Sequence, residues 1–315
     1  MMDDRTGIKG TLKAICVSER RGTLKEEVPC AVLRENFGIE GDAHAGQWHR
    51  QVSLLSFEKI EEFRSRGADV GFGAFGENLI ISGIDLRALP VDTELKIGET
   101  LLRVSQIGKA CHSHCEIYKK TGDCIMPREG IFAEVEAGGT VRPGDAVEVL
   151  PLDPDRPFTA AVITLSDRAA AGEYEDKSGP EIERILRERY YRVLETLLLP
   201  DDKSRLMKEL MRLADQRQVN VIFTTGGTGF SERDQTPEAT IAVCERMAPG
   251  IAEAMRAESM RITPKGMLSR AVSGIRKKTL IVNLPGSPQA CRECLDVILD
   301  PLDHGLGLRR GSDTD

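Results

Sequence analysis

Two kinds of hydrophobic patterning divide this chain. Up to about residue 150, short β-prone runs at 12–17, 52–55 and 101–104 alternate with glycine-rich turns, and 57–66 is the one good helical stretch. Beyond residue 157, apolar runs of the buried type at 160–165, 219–224 and 280–284 alternate with helical segments at 180–189 and 203–217, and the last helix is expected to end near His304. Between the two patterns lie Pro151, Pro154 and Pro157, which neither continue a helix nor donate to a strand ladder. The pattern predicts two domains: a β-rich, barrel-like one over 8–150, a proline-rich linker over 151–157, and a three-layer α/β domain with a mostly parallel sheet over 158–310.

Composition narrows the function classes. A chain of 315 residues that is 40% apolar has enough material for two cores. The net charge of −7, with dispersed cations and few aromatic residues, gives no footprint for a phosphate backbone, so nucleic acid is not expected as a partner. The first ten residues have neither a basic nor an apolar leader segment, and no stretch approaches the roughly 18 apolar residues of a membrane span. A soluble, cytoplasmic protein with reduced thiols is expected, because eight cysteines are too sparse for a secreted disulfide scaffold.

Candidate chemistry in the second half gathers in loops that follow predicted strands. Gly226, Gly227, Thr228 and Gly229 form either a tight packing turn or a set of open amides for phosphate oxygens. Arg233, Asp234, Thr236 and Pro237 follow, with Thr236 expected as the cap and Pro237 in the first turn of a helix. Asp201, just after Pro200, is either a helix cap or one of two carboxylates, with Asp234, able to hold a hydrated magnesium between phosphates. Two further loops, Ser166-Asp167-Arg168 and Pro285-Gly286-Ser287, fall on the same predicted sheet edge, Ser287 as a cap beside free amides.

These residues carry a family resemblance. With Ser178, Ser269 and the order in which the motifs follow one another, residues of about 158–310 resemble the molybdopterin adenylyltransferase family, the MogA/MoaB type. The resemblance implies transfer of AMP from ATP to the terminal phosphate of molybdopterin, magnesium on Asp201 and Asp234, and a homo-oligomer, trimer or larger. It also implies that Gly226, Gly227, Thr228, Gly229, Ser269 and Ser287 serve the two substrates.

In the first half Cys111, His112, His114, Cys115 and Cys124 gather within fourteen residues. Structural zinc, inert buried cysteines and a soft thiolate site for sulfur or molybdenum all fit this spacing; the thiolate site is favoured, since soft ligands select such partners. Residues of about 10–150 resemble a MOSC domain through Gly38 to Asp42, His44, Arg50, Gly76-Glu77-Asn78, Cys111 to Cys115 and Gly144-Asp145. That resemblance implies one cysteine, mapped to Cys115 with Cys111 and Cys124 as alternates, that carries sulfur or ligates molybdenum. His44 is a candidate contact to cofactor oxygens, and Arg50 is either such a contact or a solvated surface charge. The expected function is molybdenum-cofactor biosynthesis, possible recipients being molybdate-inserting or acceptor molybdoenzymes; the alternatives are a non-catalytic cofactor carrier and a sulfur-transfer protein.

Overall fold

The computed structural model describes residues 7–109, 118 and 123–310, and the chain divides into two compact units that part between Asp153 and Pro154. In the first unit the strands are β1 (Lys9–Val17), β2 (Glu26–Glu27), β3 (Ala31–Arg34), β4 (Gly38–Ile39), β5 (Val52–Ser56), β6 (Leu79–Ser82), β7 (Glu94–Ile97), β8 (Thr100–Ile107), β9 (Ile131–Ala137), β10 (Gly139–Val141) and β11 (Ala146–Val149). Among the described residues, the helices α1 (Phe57–Ser65) and α2 (Met126–Glu129) interrupt them. Eight strands pair in the order β11-β7-β8-β9-β5-β6-β1-β2, and pairing of β11 with β1 closes the sheet into a barrel, which leaves fewer open edges.

Alternation along the strands fills two cores. Leu12, Leu54, Ile81, Leu95 and Val104 fill one cluster, while Ala14, Leu55 and Ile80 from the same strands pack with Ile60 and Phe63 of α1. Because β5 and β6 are buried on both faces, the run at 52–55 is continuously apolar instead of alternating.

The second unit runs β12 (Thr159–Leu165), α3 (Asp167–Ala170), α4 (Ser178–Glu188), β13 (Arg192–Leu199), α5 (Lys203–Asp215), β14 (Val221–Thr225), α6 (Thr236–Val243), β15 (Arg246–Met247), α7 (Pro249–Ile262), β16 (Ser273–Arg276), β17 (Thr279–Leu284) and α8 (Pro288–Arg310). Its sheet order is β13-β12-β14-β17-β16-β15, parallel through β17 and antiparallel beyond it. Ala160, Val162, Phe223 and Val282 pack with Ile182, Leu186, Leu295 and Leu299, whereas the alternating Ala161, Ile163, Ile222 and Ile281 pack with Leu206, Leu210 and Leu213. Helices therefore meet the sheet on both faces, and β12, β14 and β17 are buried at every position.

Parallel pairing also aligns strand ends. Leu165 lies opposite Leu199, Thr164 opposite Thr225, and Thr225 opposite Leu284, so the loops that follow these strands emerge along one edge. The last helix continues past His304 to Arg310, because Leu306 stays in the core and Arg310 donates to the carbonyls of Arg156 and Pro157. No helix among the described residues is long and apolar enough to cross a membrane.

Candidate functional site

The glycine turn after β14 is tight. Gly226 and Gly227 adopt left-handed φ values of 95° and 64°, and a Cβ on Gly226 would stand 2.3 Å from the carbonyl oxygen of Leu165. Glycine is thus required at 226 by close backbone approach as well as by φ. Thr225, to which the sequence assigns no role, donates its hydroxyl to the Pro285 carbonyl at 2.6 Å, and Ser178 donates to the Gly286 carbonyl at 2.8 Å. The loops after β14 and β17 and the start of α4 are thereby tied together.

Asp201 is not a cap. Its neighbour Asp202 accepts the Arg205 amide and caps α5, while Asp201 Oδ2 accepts the Asp167 amide at 2.9 Å and Asp167 Oδ1 accepts the Asp201 amide at 2.9 Å. Arg233 closes the arrangement with a two-pronged ion pair to Asp167 at 2.7–3.0 Å. Asp234 Oδ2 accepts the Ser231 amide at 2.9 Å and lies 2.9 Å from where a Cβ on Gly229 would be; Asp201 Oδ1 lies 3.5 Å from the same position on Gly227. Both carboxylates therefore lie beside the glycine turn.

Electrostatics agree with this closeness. Burial pushes the Asp201 carboxyl above its ordinary range, and the charges of Asp167 and Asp234 push it further, against the pull of the Asp167 amide and Arg233. The Arg233 guanidinium and the Asp201 amide hold Asp167 below that range.

Other candidates divide. Ser166 caps α3 through the Ala169 amide, and Ser287 accepts the Ala290 amide at 3.2 Å, as a cap would. Thr236 was expected as the cap of α6, but Gln235 holds that position and the Thr236 hydroxyl donates instead to the Gly226 carbonyl at 3.0 Å. The reason is that the glycine turn leaves a carbonyl within reach, which the hydroxyl satisfies. Arg168 turns away to Glu173 and the ring of Tyr174.

Two cavities flank the ridge formed by Gly229 and Arg270. One, of about 520 Å³, is lined by Lys203, Phe230, Ser231, Asp234 and Arg270; the other, of about 290 Å³, is lined by Thr228, Met255, Arg256, Lys265 and Ser269. Lys203, Phe230 and Lys265 were missed from the sequence, and Arg270 lay beside Ser269 in its motif without a role of its own. Only their position beside motif residues distinguished them from ordinary surface side chains.

In the first unit Asp42 is buried and accepts the Ser18 amide at 3.2 Å, the His44 amide at 2.9 Å and the Asn78 side-chain amide at 3.1 Å, and it pairs with buried Lys25. Burial opposes its ionisation, yet the bonds from His44 and Lys25 hold its carboxyl well below the usual range. Arg50 is half-buried, with its guanidinium 4.8 Å from the Trp48 ring centre and 5.6 Å from that of Phe132, so it is not a solvated surface charge. Cys111 and Cys115 lie outside the described residues, and Cys124 is buried. Among the described residues no group of three or more His, Cys, Asp or Glu side chains is placed to hold a metal ion.

Comparison with known proteins places both units. Residues 161–304 match a probable molybdopterin binding domain, and residues 41–148 match the MOSC domain. A molybdopterin adenylyltransferase of Helicobacter pylori is 42% identical over 153 residues, covering 48% of this chain and 87% of its own. The chain belongs to the molybdopterin adenylyltransferase family. Another relative of the same name, from Escherichia coli, is 42% identical over 44% of this chain and 72% of its own. The solved MoaB enzyme of Thermus thermophilus is 42% identical over 49% of this chain and 97% of its own, with a TM-score of 0.47. This family member thus carries its adenylyltransferase-like part in the second unit and a MOSC domain in the first.

Proposed function

We propose that the second unit, taken as a three-layer α/β domain over 158–310, transfers the adenylyl group of ATP to the terminal phosphate of molybdopterin and releases pyrophosphate. The observation that carries this reading is the convergence of Asp201 and Asp234 on one glycine turn, in a chain 42% identical to enzymes named for that reaction. Attack of one phosphate on another gathers negative charge, so alignment and neutralisation matter more than a reactive nucleophile.

The residues present fit magnesium. Each aspartate commits one carboxylate oxygen to a backbone amide and, among the described residues, leaves the other without a hydrogen bond, which suits an ion that takes one or two carboxylates and completes its shell with phosphates and water. When bound there, the ion would supply charge neutralisation at the reacting phosphates. The amides of Gly226, Gly227 and Gly229 and the hydroxyls of Thr228, Ser269 and Ser287 orient the two substrates, Asp167 and Arg233 hold Asp201, and Ser178 and Pro285 shape the neighbouring loop. The cavity beside Asp234 takes the nucleotide and the smaller one beside Ser269 takes the pterin. The MOSC domain, taken over 8–150, binds or sulfurates the cofactor through Cys115, and the protein works as a homo-oligomer in the cytoplasm.

Pyrophosphate release from ATP and molybdopterin tests the reading. The wild type should release it in a magnesium-dependent manner, and Asp234→Asn should lower the rate about a hundredfold or more. No release from the wild type removes the enzyme in favour of a cofactor carrier, and undiminished release from the variant removes the acidic pair.

A further inference from the structure

We propose that Arg270 is a positioning residue for this adenylyl transfer, a role that rests on the reading above: its guanidinium spans both ends of the segment from Gly229 to Asp234 and fixes the Asp234 carboxylate against the glycine turn. Nε donates to the Gly229 carbonyl at 2.6 Å, a terminal nitrogen donates to the Asp234 carbonyl, and the other terminal nitrogen pairs with Glu238 on α6. The Arg270 amide adds a bond to the Thr228 carbonyl at 3.0 Å. One residue therefore closes both ends of a six-residue excursion that is otherwise held by the short Ser231 and Asp234 contacts and by the Arg233–Asp167 ion pair.

Each of the three guanidinium nitrogens has an acceptor inside the protein, so the fork is held between two carbonyls and a carboxylate and Arg270 acts through the carbonyls it holds. The fork geometry matters as well. A lysine keeps the charge but is a point donor on a flexible stem, unable to bridge two carbonyls and a carboxylate in one plane. Glu238 completes the device by fixing the plane of the fork: burial raises its carboxyl, and the bond and charge of Arg270, its own backbone amide and the charge of Lys203 together hold it low.

The full-length chain with Arg270→Lys is compared with the wild type by pyrophosphate release and by amide hydrogen exchange. A misplacement of about 1 Å costs roughly a hundredfold in rate, so kcat should fall by about that factor, with KM for molybdopterin changed less than about threefold. Exchange should quicken across residues 229–234 and stay unchanged in β14. Glu238→Gln should give a smaller loss in the same direction, and free guanidinium should partly restore Arg270→Ala. Full activity in Arg270→Lys, or lost activity with unchanged exchange at 229–234, overturns the proposal. A wild type that releases no pyrophosphate sinks the enzymatic reading, whereas the exchange pattern still decides whether Arg270 holds the segment.

Discussion

Replacing Gly226 by alanine should weaken the second unit far more than the same change at Gly172, although both glycines have left-handed φ values, 95° and 77°. The backbone cost of a non-glycine residue in that region is about 1–2 kcal/mol and applies to both. At Gly172 nothing lies within 4 Å of the new Cβ, so that cost stands alone. At Gly226 the Cβ would meet the Leu165 carbonyl oxygen at 2.3 Å and its carbon at 3.3 Å. That carbonyl ends β12, whose partner residue is Leu199 in β13, so relief requires moving a strand. Overpacking of this kind costs about 1–3 kcal/mol more. The totals are about 2–5 kcal/mol for Gly226→Ala and about 1–2 kcal/mol for Gly172→Ala. With a urea slope of about 2 kcal/mol per molar, the midpoints should fall by about 1–2.5 M and 0.5–1 M. Urea titration followed by far-UV circular dichroism measures both. Equal midpoints would refute the close approach of the turn to β12, and with it the claim that position 226 accepts only glycine.

Two further outcomes follow from charge. Burial lifts Glu77 from its ordinary 4.5 to about 7, against the pull of the Gly73 and Phe75 amides it accepts. The folded state therefore holds a proton that the unfolded chain has released, and stability of the first unit should fall as pH rises from about 4.5 to 7, by up to about 3 kcal/mol. Trp48, the one tryptophan of the chain, reports unfolding of that unit, and Glu77→Gln should flatten the trend relative to wild type; an unchanged slope contradicts the assignment. In the second unit, Asp234→Asn removes a like charge that raises Asp201, so carbon NMR titration should find Asp201 ionising at lower pH than in the wild type. An unmoved titration would mean that the carboxylates do not feel each other.

Much of this was legible from the residues because the relevant signals are local. Continuous apolar runs gave β12, β14 and β17, since strands covered on both faces have no polar side to show. Closure of the barrel was less legible: β1 meets β11 across nearly the whole first unit, and nothing in either strand names its partner. The Lys25–Asp42 pair was hidden for the same reason, because a buried lysine looks like any surface lysine until its neighbours are known. The role of Arg270, though not its place beside Ser269, was hidden, because its importance lies in three acceptors drawn from two other segments.

The ambiguous polar residues in the second unit resolve by a division of labour that residue type does not encode. The loops after β12 and β13 each commit one polar side chain to the helix that follows and turn another toward a different loop. Ser166 caps α3 while Asp167 reaches Asp201 and Arg233; Asp202 caps α5 while Asp201 reaches Asp167. After β14, Thr236 leaves the cap of α6 to Gln235 and reaches back to Gly226. Serine, threonine and aspartate are suited to both jobs, so neither spacing nor propensity separates them. What separates them is whether the bonded amide or carbonyl belongs to the residue's own helix or to another chain segment. By that criterion Asp167 and Asp201 belong to the site and Asp202 to its helix, even though Asp201 and Asp202 are adjacent and chemically identical.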